Sequence, residues 1–149
     1  MPNWTNNTIT FKSNKDLKFI INHVKSDYSD FDFNKLIPEP TTKENCPIDC
    51  LVTDNSHIEI SEDRPWFDWY AWRSKFWNVK WNASEVYFKP HGRKIMFDTP
   101  WSAPIPIFQA LACTYPDIPF VVKSSYEDGG YTKFTYNGDK SDLIQEDSF

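Results

Sequence analysis

The sequence predicts an α+β fold: a ferredoxin-like antiparallel sheet packed by helices, with an aromatic helical insertion. Three observations predict it. The elements read in the order β-α-(loop, α)-β-β-α-β-β, a split β-α-β unit repeated around an antiparallel hairpin, with one strand added at the end. The chain has 149 residues, 40% hydrophobic and 25% charged, which suits one domain with its own core and excludes a disordered polymer. Aromatics reach 17%, from 7 Trp, 7 Tyr and 12 Phe, and each buried ring removes roughly 150–250 Å² from water.

Residues 4–12 alternate in polarity and read as the first strand. Ser13-Asn14 offers a cap, and Leu17, Phe19, Ile20, Ile21 and Val24 follow at roughly helical spacing, giving a helix over about Lys15 to Ser26. Residues 27–63 are irregular and bracketed by Pro38, Pro40 and Pro47, with His57–Ile60 as a short edge strand. Asp63 and Pro65 signal a second helix over 64–81. On a helical wheel Trp66, Tyr70, Trp77 and Trp81 fall within about 60°, with Trp69, Phe76 and Trp72 extending the arc beyond one buried face. Such a helix is either covered on two sides or left with a face for a partner.

Glu85–Lys89 and Lys94–Asp98 form a hairpin around Pro90-His91-Gly92-Arg93. Ser102 is placed to cap a third helix over Ala103–Thr114, with Pro104 and Pro106 confining regular helix to Ile107 onward. Phe120–Tyr126 and Tyr131–Tyr136 flank the turn at Gly129-Gly130. The domain therefore spans 1–138 with an insertion at 27–83, and 139–149 reads as a frayed acidic tail.

Sixteen Lys+Arg against 21 Asp+Glu give a net charge of −5, which repels phosphate at long range. Only 4 Gly are present, so Gly-rich phosphate loops and flexible linkers are excluded. No apolar run reaches the roughly 18 residues of a membrane helix, and the polar start lacks a basic-then-apolar signal. Three cysteines, an odd count, fit reduced thiols, and the expected location is cytoplasmic.

Cys46 and Cys50 with His57 are the only grouping with a metal-like spacing, and it is too loose for a strong zinc site. No cofactor is expected, and no nucleophile motif accompanies His23, His57 or His91, so no catalytic residue is assigned and a non-enzymatic protein is expected. Segment 70–96 gathers Arg73, Lys75, Lys80, Lys89, Arg93 and Lys94 among aromatic rings, which is the composition of a single-stranded nucleic-acid surface. Arg93, at the hairpin tip, is placed to meet a phosphate. The C-terminal acids Asp128, Asp142 and Glu146 suit a cationic partner.

Four stretches carry a resemblance: Met1-Pro2-Asn3-Trp4 with Asn7, Phe31–Pro38, Trp77–Ala83, and Phe97–Pro106. Together they resemble the Api92-like proteins, also described as carrying a YubB-type ferredoxin-like domain. Val79 stands where that family often has Gly after Asn. The resemblance implies a ferredoxin-like fold, with no iron–sulfur cluster, and carriage on phages, prophages and conjugative plasmids. With that context, the expected function is binding and modulation of a bacterial host protein, such as a defence nuclease inhibited in the manner of an anti-CRISPR. Trp72, Trp77 and Trp101 are the expected apolar anchors, because tryptophan dominates interface hot spots. Nucleic-acid or nucleotide binding through 70–96 is the alternative.

Overall fold

The computed structural model describes residues 3–137 and 144–148. Its elements are β1 (Trp4–Phe11), α1 (Asn14–Val24), α2 (Trp69–Phe76), β2 (Ser84–Lys89), β3 (Lys94–Pro100), α3 (Ile105–Thr114), β4 (Phe120–Ser125), β5 (Tyr131–Tyr136) and β6 (Ile144–Ser148). The sheet order is β2-β3-β1-β4-β5-β6, antiparallel throughout. The first four strands in that order form the ferredoxin-like sheet, and β5 and β6 extend it as a meander.

Strand alternation decides which face is covered. Along β1 the odd positions Thr5, Asn7, Ile9 and Phe11 are buried, and the even positions are not. Ile95 and Phe97 of β3, Phe120 and Val122 of β4, and Phe134 and Tyr136 of β5 share the buried face. Leu17, Ile20 and Val24 of α1 and Ile107, Phe108 and Leu111 of α3 belong to the same core. No residue of the opposite sheet face is buried in β1, β2, β4 or β5.

The insertion is joined to this core by rings. Phe31 stacks on Phe97 of the sheet at 4.9 Å, and Phe33 meets Phe97 edge-on at 5.7 Å. Phe33 continues to Trp77 at 5.4 Å, Trp77 to Trp72 at 5.4 Å, and Trp72 to Phe67 at 6.1 Å. A polar joint runs beside them. Asp32 accepts from Ser26 Oγ and Asn82 Nδ2, each at 2.7 Å, and from the Asn34 backbone N–H at 2.9 Å. Asn82 Oδ1 in turn accepts the N–H of Phe33 at 2.9 Å.

Four expectations are corrected. The second helix covers Trp69–Phe76, not 64–81, because its cap is Asp68, whose carboxylate accepts the Ala71 N–H at 3.0 Å. Its exit is Asn78, left-handed at φ 65°, so Asn78 itself makes the turn that a following Gly would ease. Ser102 does not cap α3: its hydroxyl donates to the Asn78 carbonyl at 2.8 Å, and α3 starts at Ile105 with Pro106 in its first turn, where a missing N–H costs no hydrogen bond. His57–Ile60 is not a strand, whereas Ile144–Ser148 of the expected frayed tail pairs with β5.

Burial alone would raise Asp32, but its hydrogen bonds from Ser26, Asn82 and Asn34 outweigh that and hold the carboxyl below its ordinary value. A depressed carboxylate contributes stability that is present above the unfolded pKa of about 3.9 and lost as pH falls through the folded value. Urea unfolding from neutral pH to about pH 3 is therefore expected to show Asp32→Asn less stable than wild type at neutral pH, with the gap closing at the acid end. A gap of constant size would contradict the linkage.

Candidate docking site

A buried polar string sets one end of the sheet. Ser124 Oγ donates to Asn7 Oδ1 at 2.7 Å, and Asn7 Nδ2 donates to Thr99 Oγ1 at 2.9 Å. Thr99 Oγ1 then donates to the carbonyl of Ser102 at 2.7 Å. Ser124, Asn7 and Thr99 are all fully buried, so each needs its partner. The string crosses β4, β1 and β3 and ends by fixing the loop that holds Trp101.

Trp101 is presented, not stored. It is 58% exposed and left-handed at φ 68°. A bulky residue in that region costs about 1–2 kcal/mol. The conformation is held because the Trp101 N–H donates to the Asn3 carbonyl at 2.7 Å and the Ser102 N–H to the Pro100 carbonyl at 2.8 Å. Backbone strain of this kind clusters at functional sites.

A cleft of about 310 Å³ opens beside it, lined by Asn3, Trp4, Thr5, Trp101, Tyr126, Glu127 and Asp128. Its acids are placed by the β4–β5 turn. Glu127 accepts the Trp4 N–H at 2.9 Å, and Asp128 accepts the Gly130 N–H at 2.9 Å. Gly129 takes φ 96°, a value open to glycine. On the far side of Trp4 a cleft of about 270 Å³ is lined by Trp4, Ser84, Glu85 and Asp98. Trp81 lies 6.1 Å from Trp4. This end of the sheet is thus an aromatic surface rimmed by carboxylates.

Of the expected anchors, only Trp101 is available. Trp72 and Trp77 are 4% and 0% exposed and belong to the ring chain that seats the insertion. Trp77 also donates its indole N–H to the Ile37 carbonyl at 2.9 Å. Asp128 lies in the Trp101 cleft, Asp142 lies outside the described residues, and Glu146 is the register partner of Lys133 on β6. Trp4, Tyr126 and Glu127 line the same cleft without being among the expected partner-binding residues. The alternation of β1 placed Trp4 on a half-exposed face, but only the paired register brings it beside 126–128.

The basic segment does not form one surface. Arg73 is bound to Glu39 at 3.1 Å, with side chains 21% and 8% exposed, and its guanidinium lies over the rings of Trp69 and Trp77. Lys75 pairs with Asp49 at 2.8 Å, a contact that lowers the Asp49 carboxyl and raises the Lys75 ammonium from their ordinary values. Lys80 covers Trp81 at 4.1 Å. Arg93 points back and donates to the Phe11 carbonyl at 3.0 Å, so it is not the free hairpin tip expected. Lys89 and Lys94 lie apart from these, on the sheet.

Cys46 Sγ donates to the Cys50 carbonyl at 3.4 Å, and both thiols are buried while His57 is exposed. Burial, with Asp49 nearby, pushes both thiols up, away from the thiolate that binds metal. Among the described residues no three His, Cys, Asp or Glu side chains converge as a metal site. No helix among them is long and apolar enough to cross a membrane.

Residues 76–149 match the family model described as the ferredoxin-like domain in Api92-like protein, and that stretch belongs to this family. It takes in β2 to β6 and α3, and leaves out β1 and α1. Comparisons with curated proteins and with solved structures give no match.

The two tryptophan classes are separable by unfolding. Trp77→Ala is expected to cost about 3–5 kcal/mol, as for a large core truncation. Trp101→Gly removes the left-handed strain and is expected to stay within about 1 kcal/mol of wild type. Urea midpoints read both, and a large loss at Trp101 would make it a core residue.

Proposed function

On the premise of a ferredoxin-like domain of the Api92-like family, we propose that this chain is a non-enzymatic binding protein acting on a bacterial host protein. The observation that carries the reading is Trp101: an exposed indole held in a strained backbone and fixed from below by buried hydrogen bonds. Tryptophan is enriched among the few residues that carry most of an interface's binding energy. The rim of Glu85, Asp98, Glu127 and Asp128 selects a cationic partner and speeds encounter. A groove that holds nucleic acid has this character, because its Lys and Arg side chains neutralise phosphate. The partner class is therefore a nucleic-acid-handling host protein, a defence nuclease among them, and the mode is occlusion of its groove, in the cytoplasm of a bacterial host. The resemblance to proteins of mobile elements supports the same direction.

The test uses three baits against bacterial lysate: wild type, Trp101→Gly, and the double variant Glu127→Lys/Asp128→Lys. Wild type is expected to retain one stoichiometric protein with a basic groove, and both variants to lose it by roughly tenfold or more. Equal retention by Trp101→Gly, with its fold confirmed by circular dichroism, would remove the docking site from this end of the sheet.

A further inference from the structure

The uncovered face of the sheet carries a second signature, made of like charges placed opposite one another. Lys89 of β2 is the register partner of Lys94 of β3, and Lys123 of β4 is the register partner of Lys133 of β5. Directly opposed like charges destabilise a sheet, yet two such pairs occur. Thr10 of β1 is the register partner of Lys94, and Thr8 of Lys123, so the two pairs belong to adjacent rows of one face. Among the described residues no salt bridge involves Lys89, Lys94 or Lys123.

Rings accompany the cations. Tyr87 of β2 shares the row of Thr8 through Met96 and is 44% exposed. Tyr131 of β5 is half-buried under the ammonium of Lys123, 4.5 Å from its centroid. Side chains two residues apart on a strand stand about 6.6–6.8 Å apart, close to the step between nucleotides of an extended single strand. The acids of this face lie mostly away from the lysines. Asp98, which accepts from Asn6 at 3.1 Å, and Glu85 sit toward the start of β1, and Glu146 is opposite Lys133 in the register.

We propose that the open sheet face binds single-stranded nucleic acid, with the two lysine pairs on the phosphates and Tyr87 and Tyr131 as stacking platforms. A duplex presents no unstacked bases to such a flat face, so selectivity for single strands follows. The surface is separate from the Trp101 cleft and does not depend on it.

The test is fluorescence anisotropy with fluorescein-labelled oligo(dT), oligo(U) and a duplex of the same length, at about 50 and about 200 mM salt. Wild type is expected to bind a single strand in preference to the duplex, with affinity falling as salt rises, and the tighter single strand names DNA or RNA. Lys94→Glu/Lys123→Glu is expected to weaken binding by roughly tenfold or more and to flatten the salt slope by about 1.4, the share of two phosphate contacts on a single strand. That variant removes two like-charge oppositions, so its urea midpoint is expected to equal or exceed wild type's. Tyr87→Ala is expected to lose affinity with an unchanged salt slope, and Trp101→Gly to bind as wild type does. Absence of binding at the lower salt, equal binding of the duplex, or indifference to the lysine reversals would each overturn the proposal.

Discussion

The hydrogen-bond string Ser124–Asn7–Thr99–Ser102 is the constraint on which the Trp101 end of the sheet depends. It satisfies three buried polar side chains at once, and it does so across three adjacent strands. An asparagine on the core face of a central strand is costly unless both ends of its amide are bonded. Here the oxygen accepts from β4 and the nitrogen donates to β3. The arrangement therefore fixes strand register and loop position together: sliding β1 by two residues would strand Asn7 among apolar side chains. Loop 99–102 inherits that rigidity, and this is what permits a tryptophan to remain in a left-handed conformation.

The aromatic load is divided between two uses. One set of rings joins the insertion to the sheet, through the chain from Phe97 by way of Phe31, Phe33, Trp77 and Trp72 to Phe67. Composition indicates ring area beyond an ordinary core, but it cannot distinguish an insertion that needs gluing from a surface that awaits a partner. Trp72 and Trp77 of the wide apolar arc are of the first kind, whereas Tyr70 and Trp81 of the same arc stay exposed. Arg73 shows the same division: adjacent rings and a positive charge suggested a nucleic-acid contact, whereas Glu39, thirty-four residues away in sequence, claims the guanidinium and the indoles cover its faces.

The strands and their order were legible because alternation, turn glycines and hairpin loops are local signals. β1, the β2–β3 hairpin and the β4–β5 turn lie where their patterns put them. Helix boundaries were less legible, since Asp63 and Asp68 are both acceptable caps and only the bridge of Phe67 to Leu51 excludes the earlier one from the helix. The strand β6 was hidden because its sequence is polar and acidic, and its pairing partner β5 offers backbone groups rather than an apolar pattern. The docking cleft was legible only in part. Trp101 and Asp128 stand out as residue types, but Trp4 and Glu127 join them through a register that brings positions more than a hundred residues apart within hydrogen-bonding distance.

Charge distribution reconciles a net −5 with a basic face. Along β1 the sheet changes sign. Glu85, Asp98, Glu127 and Asp128 surround its start, while Lys89, Lys94, Lys123 and Lys133 occupy the rows of Thr8 and Thr10. Screening at physiological salt limits a charge's reach to about 8 Å, roughly two to three residues along a strand. A partner at either end therefore meets the local sign and not the net charge. The acidic end repels phosphate and admits cationic protein, and the basic end does the reverse. A polarised sheet of this kind orients whatever approaches it, and under the two proposals above a protein groove and a single strand would meet neighbouring parts of the same molecule.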